Sequence, residues 1–363
     1  MGEWKEYKLG EILTFQRGYD LPKSAMNAGG IPVAGSNGII GYHNQYTTKG
    51  PGITIGRSGN IGIPKFYKDN FWAHNTVLYV KDFHGNDENF MYYFLQTVDF
   101  TQFNTGSAVP SLNRNHIHEL SIFIPPLKEQ KRIASILSSL DDKIDLLHQE
   151  NKTLEAMAET LFRKWFIEEV RQDVLLGNVV ETTSGGTPSR KNEKYYQNGT
   201  IDWVKSKELN RSFLLKTEEK ITVEAVENSS AKFLPANSVL IAMYGATVGE
   251  YAIIAKEMTC NQAVCALKPN DNYPYTYLYL WAKFMQDEFL NLACGAAQQN
   301  ISQVLIKQQQ VCSDVDAVKQ FHSIVEPFFE KLKQNEMQLS SLEEMKHVIL
   351  PKLMNNELNI NEL

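Results

Sequence analysis

Residues Ile133, Leu137, Leu140, Ile144, Leu147, Asn151, Leu154, Ala158, Leu161 and Trp165 are spaced alternately four and three apart without a slip. That is a heptad seam, with Leu140, Leu147, Leu154 and Leu161 at d and Leu137, Ile144, Asn151, Ala158 and Trp165 at a. No proline or glycine lies between Lys128 and Glu169. A helix bearing this seam is about 50 Å long. It cannot bury its own apolar stripe and needs a partner helix, from this chain or another. The same chain offers one. Shifted by 188 residues, Ile133 becomes Phe321, Leu137 Val325, Leu140 Phe328, Ile144 Leu332, Leu154 Leu342 and Leu161 Ile349. The sequence reads as a duplication of a lobe plus a long helix.

The 363 residues give room for two domains and an ample core. Cys260, Cys265, Cys294 and Cys312 form no CxxC pair and read as free intracellular thiols. The start has no apolar signal core, and the most apolar stretch, Val239 to Ala255, is broken by Glu250 and two glycines. A soluble cytoplasmic protein with no membrane partner is expected. The net charge of −6 argues against a nucleic-acid partner, but its distribution weakens the objection. Residues 1–125 carry 10 bases and 10 acids and residues 171–312 carry 14 of each, so the acidic excess lies in the helical segments.

The organisation expected is residues 1–126, lobe one; 127–170, the first long helix; 171–312, lobe two; 313–363, the second long helix and tail. In lobe one, Ile31 to Ala34, Gly52 to Gly56, Ala73 to Val80 and Leu120 to Ile124 read as strands and Phe90 to Phe100 as a helix. Pro125-Pro126 closes the lobe and Leu127-Lys-Glu-Gln130 opens the helix. In lobe two, strands are expected at Ile201 to Val204, Ser238 to Met243, Tyr251 to Ile254 and Ala263 to Leu267, with a helix from Tyr275 to Leu292. Leu9-Gly10 returns as Leu176-Gly177, and Gly106 to Leu112 matches Gly295 to Ile301. The offset grows from 167 to 189, mostly between Gly185 and Ala263, so the lobes share a frame and differ inside it. The second long helix starts near Val315. Pro327 should kink or divide it, and Pro351 with the Asn-rich end should stop it.

The spacings Gly35-x-x-Gly38-x-x-Gly41 and Gly56-x-x-Gly59-x-x-Gly62 lack the phosphate-loop pattern and read as turns and bulges. They carry Ser36, Asn37, Arg57, Ser58 and Asn60, which can donate to phosphates or base edges. In lobe two, Arg190, Lys191, Lys194, Lys205, Lys207 and Arg211 are interleaved with Tyr195, Tyr196 and Trp203. That pattern fits a solvated face or a nucleic-acid groove equally well. Of the eight histidines, five lie in lobe one, and none has metal-ligand spacing. No hydrolase or methyltransferase motif, Walker lysine or diagnostic carboxylate pair is present, which does not exclude an enzyme but does not call for one.

Leu9-Gly-Glu-Ile12, the run Ile124-Pro-Pro-Leu-Lys-Glu-Gln-Lys-Arg-Ile-Ala-Ser-Ile-Leu137 with Leu140-Asp-Asp-Lys-Ile144, and Leu176-Gly177 with Gly185-Gly-Thr-Pro-Ser189 carry a resemblance. Over essentially its whole length the chain resembles the DNA-specificity subunit of Type I restriction–modification systems. Val311 to Val318 departs from it, lacking the proline pair and the Glu-Gln. The resemblance implies an α+β fold: two β-rich mixed target-recognition domains separated by two long antiparallel coiled-coil helices, related by a pseudo-twofold. Each domain would read one half of a bipartite site in double-stranded DNA, and the helices would set the unread spacer. Two methyltransferase subunits would supply S-adenosylmethionine and methylate adenine. A motor-nuclease subunit, using ATP and Mg, would join for cleavage. The specificity subunit itself would have no catalytic residue and no bound cofactor, which agrees with the missing motifs. The competing class is a coiled-coil scaffold with two β-rich ligand lobes.

A polar residue in a seam costs stability and fixes register. If the twofold passes near residue 149, Asn151 faces Asn335, the mate of Leu147. Two amides can exchange hydrogen bonds there, and replacing both by leucine should preserve or raise stability while permitting slipped registers.

Overall fold

The computed structural model describes residues 3–103, 111–169, 172–294 and 300–358. The matching runs Gly106 to Pro110 and Gly295 to Gln299 lie outside the described residues. Two compact units are present, residues 1–145 with 342–363 and residues 146–341. This division cuts through both long helices, so each unit holds a lobe and a piece of each helix.

The first unit contains β1 (Lys5–Lys8), α1 (Leu9–Ile12), β2 (Thr14–Arg17), β3 (Ile31–Gly35), β4 (Gly38–His43), β5 (Gly52–Gly56), β6 (Pro64–Tyr67), β7 (Trp72–Ala73), β8 (Val77–Asp82), α2 (Glu88–Gln96), α3 (Arg114–His118) and β9 (Ser121–Ile124). One sheet has the order β2-β8-β5-β6, a second β4-β3-β7, and β1 pairs with β9. The expected strand Ala73 to Val80 is two strands, because the chain turns at His74 to Thr76 to change sheets. Gly38 to Gly41, read as loop, lies in β4. It makes a hairpin with β3 through the two-residue turn Ser36-Asn37, and Gly38 takes φ 106°.

The first long helix, α4, spans Leu127–Phe162. Gln130 ties its start to lobe one. The buried Gln130 amide donates to Pro125 O and Asn86 Oδ1, both at 2.9 Å, and its oxygen accepts from Asp87 N at 3.0 Å. That gives the Glu-Gln phrase a structural duty. Ile133, Ala134 and Leu137 then pack into the lobe-one core with Leu353 and Met354. Further along, Asp141 accepts from Tyr93 Oη at 2.8 Å and pairs with Lys346 at 2.6 Å.

The second unit contains β10 (Asp173–Leu175), α5 (Leu176–Val179), β11 (Glu181–Ser184), β12 (Ile201–Val204), β13 (Phe213–Leu214), β14 (Lys220–Ile221), α6 (Val223–Glu227), β15 (Val239–Ala242), β16 (Tyr251–Ile254), β17 (Thr259–Cys260), β18 (Val264–Lys268), α7 (Tyr275–Phe284), α8 (Gln286–Cys294), α9 (Gln303–Lys307), β19 (Gln310–Cys312) and the first part of α10 (Val315–Met354). Its sheets repeat those of the first unit. The order β11-β18-β15-β16 corresponds to β2-β8-β5-β6, with β13 added at the edge, and β14-β12-β17 corresponds to β4-β3-β7. In each three-stranded sheet the middle strand pairs parallel with one neighbour and antiparallel with the other.

Close backbone approach fixes this shared frame. A Cβ on Gly18 would lie 2.1 Å from His74 O, and one on Gly185 1.9 Å from Cys260 O. A Cβ on Gly10 or Gly177 would likewise lie 2.9 Å from the Cβ of His118 or Lys307. The missing proline pair before α10 is also explained. Lobe two closes with tyrosines instead: Tyr273 Oη donates to Cys312 O and Cys312 N donates to Tyr277 Oη, both at 2.9 Å. Asp314 Oδ1 then caps the helix at Ala317 N.

Helix α10 is one continuous helix, contrary to the division expected at Pro327. That proline is exposed, while Val325 and Phe329 on either side are fully buried and hold the helix in line. Pro351 does not stop it either. The helix runs to Met354 and ends at Asn355-Asn356, where Asn356 takes φ 57°. At the end of α4 the backbone widens into a π-helix over Arg163–Glu168, and Phe162 and Phe166 pack on Phe321 and Tyr277.

Candidate functional site

Lobe one gathers its candidates on two adjoining turns. Ser36 and exposed Asn37 form the tip of the β3–β4 hairpin. The loop after β5 holds Arg57, Ser58 and Asn60. The two meet where a Cβ on Gly59 would be 3.9 Å from Ser36 Oγ. Arg57 is anchored at its backbone, with its N–H on Thr76 O at 2.8 Å and its carbonyl receiving Leu112 N at 2.9 Å. Its guanidinium donates to Asn75 O at 3.3 Å and is partly exposed. Gly59 and Gly62 take φ of 81° and 78°, so these glycines shape a turn. The outer hairpin strand exposes apolar surface, with Ile39 52% and Tyr42 56% accessible.

Lobe two divides its candidates among three places. Arg190 follows the Gly185–Ser189 turn, which is fixed by Trp203 Nε1 donating to Gly186 O at 3.0 Å and Tyr196 Oη donating to Pro188 O at 2.5 Å. The Arg190 guanidinium stacks over Tyr196 at 4.2 Å and Trp203 at 5.2 Å from the ring centroids. It forks onto both carboxylate oxygens of Glu219, which Lys205 also reaches at 2.5 Å. Arg190 and then Lys205 hold the Glu219 carboxyl down to about 2. Lys191 is exposed next to Arg190 in the chain. Lys207 pairs with Glu218 at 2.5 Å, which lowers that carboxyl below its usual range. The stretch from β12 to β14, residues 205–219, which carries Lys205, Lys207, Glu218 and Glu219, is closed by buried Glu208, which accepts from Lys205 N and Glu218 N at 2.8 Å. Beneath it, Asp202 pairs with Lys256 and Lys220.

Arg211 stands elsewhere, 3.8 Å from Glu336 on α10, beside an open cavity of about 640 Å³. This is where the register residues meet. Asn335 Nδ2 donates to Asn151 Oδ1 at 2.8 Å and to Glu150 Oε2 at 2.9 Å. Asn151 Nδ2 donates to Glu336 Oε1 at 3.1 Å. Each asparagine thus holds a glutamate of the opposite helix, and Glu336 is only 7% exposed. Leucines here would remove the Asn151 donor from that buried carboxylate, which Arg211 also approaches, so some loss of stability is expected from this geometry.

Sequence reasoning missed one element of lobe two. The loop Met243 to Glu250 is the counterpart of Arg57 to Gly62. Tyr244 bridges Asn300 as Ser58 bridges Ser111, and Gly245 and Gly249 have positive φ like Gly59 and Gly62. The glycine spacing carried this signal, at offsets inside the observed drift. Among the described residues no group of three His, Cys, Asp or Glu side chains could hold a metal, and no helix is long and apolar enough to cross a membrane. Several lobe-one histidines serve structure: His43 Nδ1 accepts from Asn27 N and His118 Nε2 from Phe15 N, both at 3.0 Å. Cys260, Cys265 and Cys312 are buried free thiols, and burial pushes Cys260 and Cys265 up to about 12.

A family model described as the Type I restriction modification DNA specificity domain matches residues 1–156 and 169–312. The specificity subunit of the Type I restriction enzyme MjaIX of Methanocaldococcus jannaschii is 26% identical over 307 residues, covering 77% of this chain and 71% of that protein. The HindI specificity subunit of Haemophilus influenzae is 23% identical over 333 residues, covering 70% of this chain and 72% of that protein. The crystal structure of a Type I restriction–modification S subunit from M. genitalium shares the fold, with a TM-score of 0.70 at 16% identity over 97% of this chain and 96% of that one. With the family's domain matched in both lobes, the chain belongs to the Type I restriction modification DNA specificity family.

Proposed function

We propose that this specificity subunit binds double-stranded DNA, lobe one (1–126) and lobe two (171–312) each reading one half of a bipartite, asymmetric site. The long helices, 127–170 and 313–363, set the unread spacer between the halves. Two readers on one duplex must match its helical phase of about 34 Å per turn, a distance that helices of about 50 Å can hold. The register contact of Asn151 and Asn335 fixes that distance. The chain contributes no catalytic residue and binds no cofactor. Two methyltransferase subunits bring S-adenosylmethionine and methylate adenine, and a motor-nuclease subunit with ATP and Mg adds cleavage.

The observation that carries this reading is the duplicated frame with different contents: one topology twice, with polar and basic side chains on the parts that differ. In lobe one the readers are Ser36, Asn37, Arg57, Ser58 and Asn60. In lobe two they are Arg190, Lys191, Lys205 and Lys207, with Arg211 at the helix pair. Adenine methylation mapped in cells carrying this chain with its partner subunits tests it. A split motif with a fixed unread gap is expected. A short continuous motif, or none above the background without this chain, would overturn the two-reader proposal.

A further inference from the structure

The carboxylate of Glu219 is shared by two cations, although surface ion pairs add little stability. Arg190 is 52% exposed, so its pairing is not a solution to burial. What the arrangement does is fix a direction. The guanidinium is clamped between a two-point fork on Glu219 and the rings of Tyr196 and Trp203, and both rings anchor the turn that delivers Arg190. A guanidinium has five N–H donors, and the fork on Glu219 uses two of them, leaving the others in the plane that the fork and the rings fix. Paired acceptors, such as two phosphate oxygens or the O6 and N7 of guanine, require that kind of preorganised fork.

We infer that Glu219 is a positioning residue, holding Arg190 in the orientation that meets DNA in lobe two. The inference rests on the proposal that lobe two binds duplex DNA. It opposes what net charge alone implies. Arg190, Lys205 and Glu219 together carry about one positive charge, and removing the carboxylate would leave about two. Phosphate attraction alone would then tighten binding and steepen its salt dependence by about one. A lost orientation weakens binding despite the added charge.

The test uses the assembled complex on duplex DNA carrying the site found by methylation mapping, at two salt concentrations, with thermal melting recorded for each variant. Glu219→Gln should weaken binding roughly tenfold, within the range for a bidentate contact. Arg190→Lys keeps the charge but not the fork and should weaken it similarly, and Glu219→Asp should restore part of the loss. A loss uniform over sequences identifies a phosphate contact, and a loss at one base pair identifies a base contact. Equal or tighter binding by Glu219→Gln, with wild type binding in the usual salt-dependent way, overturns the positioning role. Should that variant melt early, Arg190→Lys decides, and unchanged affinity there overturns it equally. Absence of salt-dependent binding by the wild-type complex defeats the DNA reading itself and the inference with it.

Discussion

The two lobes repeat one backbone plan and fill it differently. In lobe one the chain passes from β3 to β4 through two residues, Ser36 and Asn37, leaving an outer strand that exposes Ile39 and Tyr42. In lobe two the corresponding step from β12 to β14 takes residues 205–219, an excursion that carries Lys205, Lys207, Glu218 and Glu219, the last of which holds Arg190. The frame persists where backbone touches backbone, as at Gly18 and Gly185, because a side chain cannot fit there. The outer parts, free of that constraint, can change in length and charge without disturbing the sheets. The proposal that each lobe reads its own half-site calls for such a division.

The sharpest way to break this comparison is to attack what each unit uses to join the long helices. Replacing both Asn151 and Asn335 by leucine removes the amide pair and the Asn151 bond to buried Glu336 in the second unit and should cost about 1–3 kcal/mol in denaturant unfolding. In the first unit Asp141→Leu should cost less, since Lys346 can extend its charge to water. Unchanged stability in the double leucine variant would show that the amides do not support the buried carboxylate.

Frame glycines come next. Gly18→Ala and Gly185→Ala should each cost about 2 kcal/mol in thermal unfolding, the penalty of overpacking against a fixed backbone. Gly30→Ala, with nothing within 4 Å of its Cβ, should stay within about 0.5 kcal/mol of wild type. A loss in only one lobe would deny the shared frame.

The outer parts should respond more weakly. The folded value for Glu219, about 2, lies below its ordinary 4.5. Its ion pairs therefore stabilise above pH 4.5, and the contribution fades as pH falls toward 2. It should amount to less than about 1 kcal/mol, given the cluster's exposure. Melting of the wild type and of Glu219→Gln should converge over that interval, and parallel curves would contradict it. Smallest is the difference between single cations. Arg57→Ala in the assembled complex should lower the salt slope of DNA binding by about one. Lys207→Ala should lower it by less, because Glu218 already offsets that charge. Equal slopes would mean that Glu218 moves away when DNA arrives.

Much of the frame was legible in the sequence. The heptad seam and its displaced copy are periodic signals set by burial, and the strands at Ile201–Val204 and Tyr251–Ile254 lie where apolar runs placed them. Strand β4 was hidden because its glycines read as turn residues, and the split after Ala73 because a strand changing sheets keeps its β-like composition. The proline positions misled because a proline on an exposed helix face, flanked by buried side chains, need not break the helix. The candidate cations were visible, but their partners were not. Arg190 and Glu219 are 29 residues apart, and only folding brings them together.

Independent lobes on one frame are tested most directly by exchange. Lobe two, from Leu175 to Cys312, should be replaced by the corresponding lobe of a relative with a different site, and adenine methylation mapped in cells carrying the partner subunits. One half of the motif should change while the other half and the gap between them stay as they were. Changes in both halves would contradict the division of labour between the lobes.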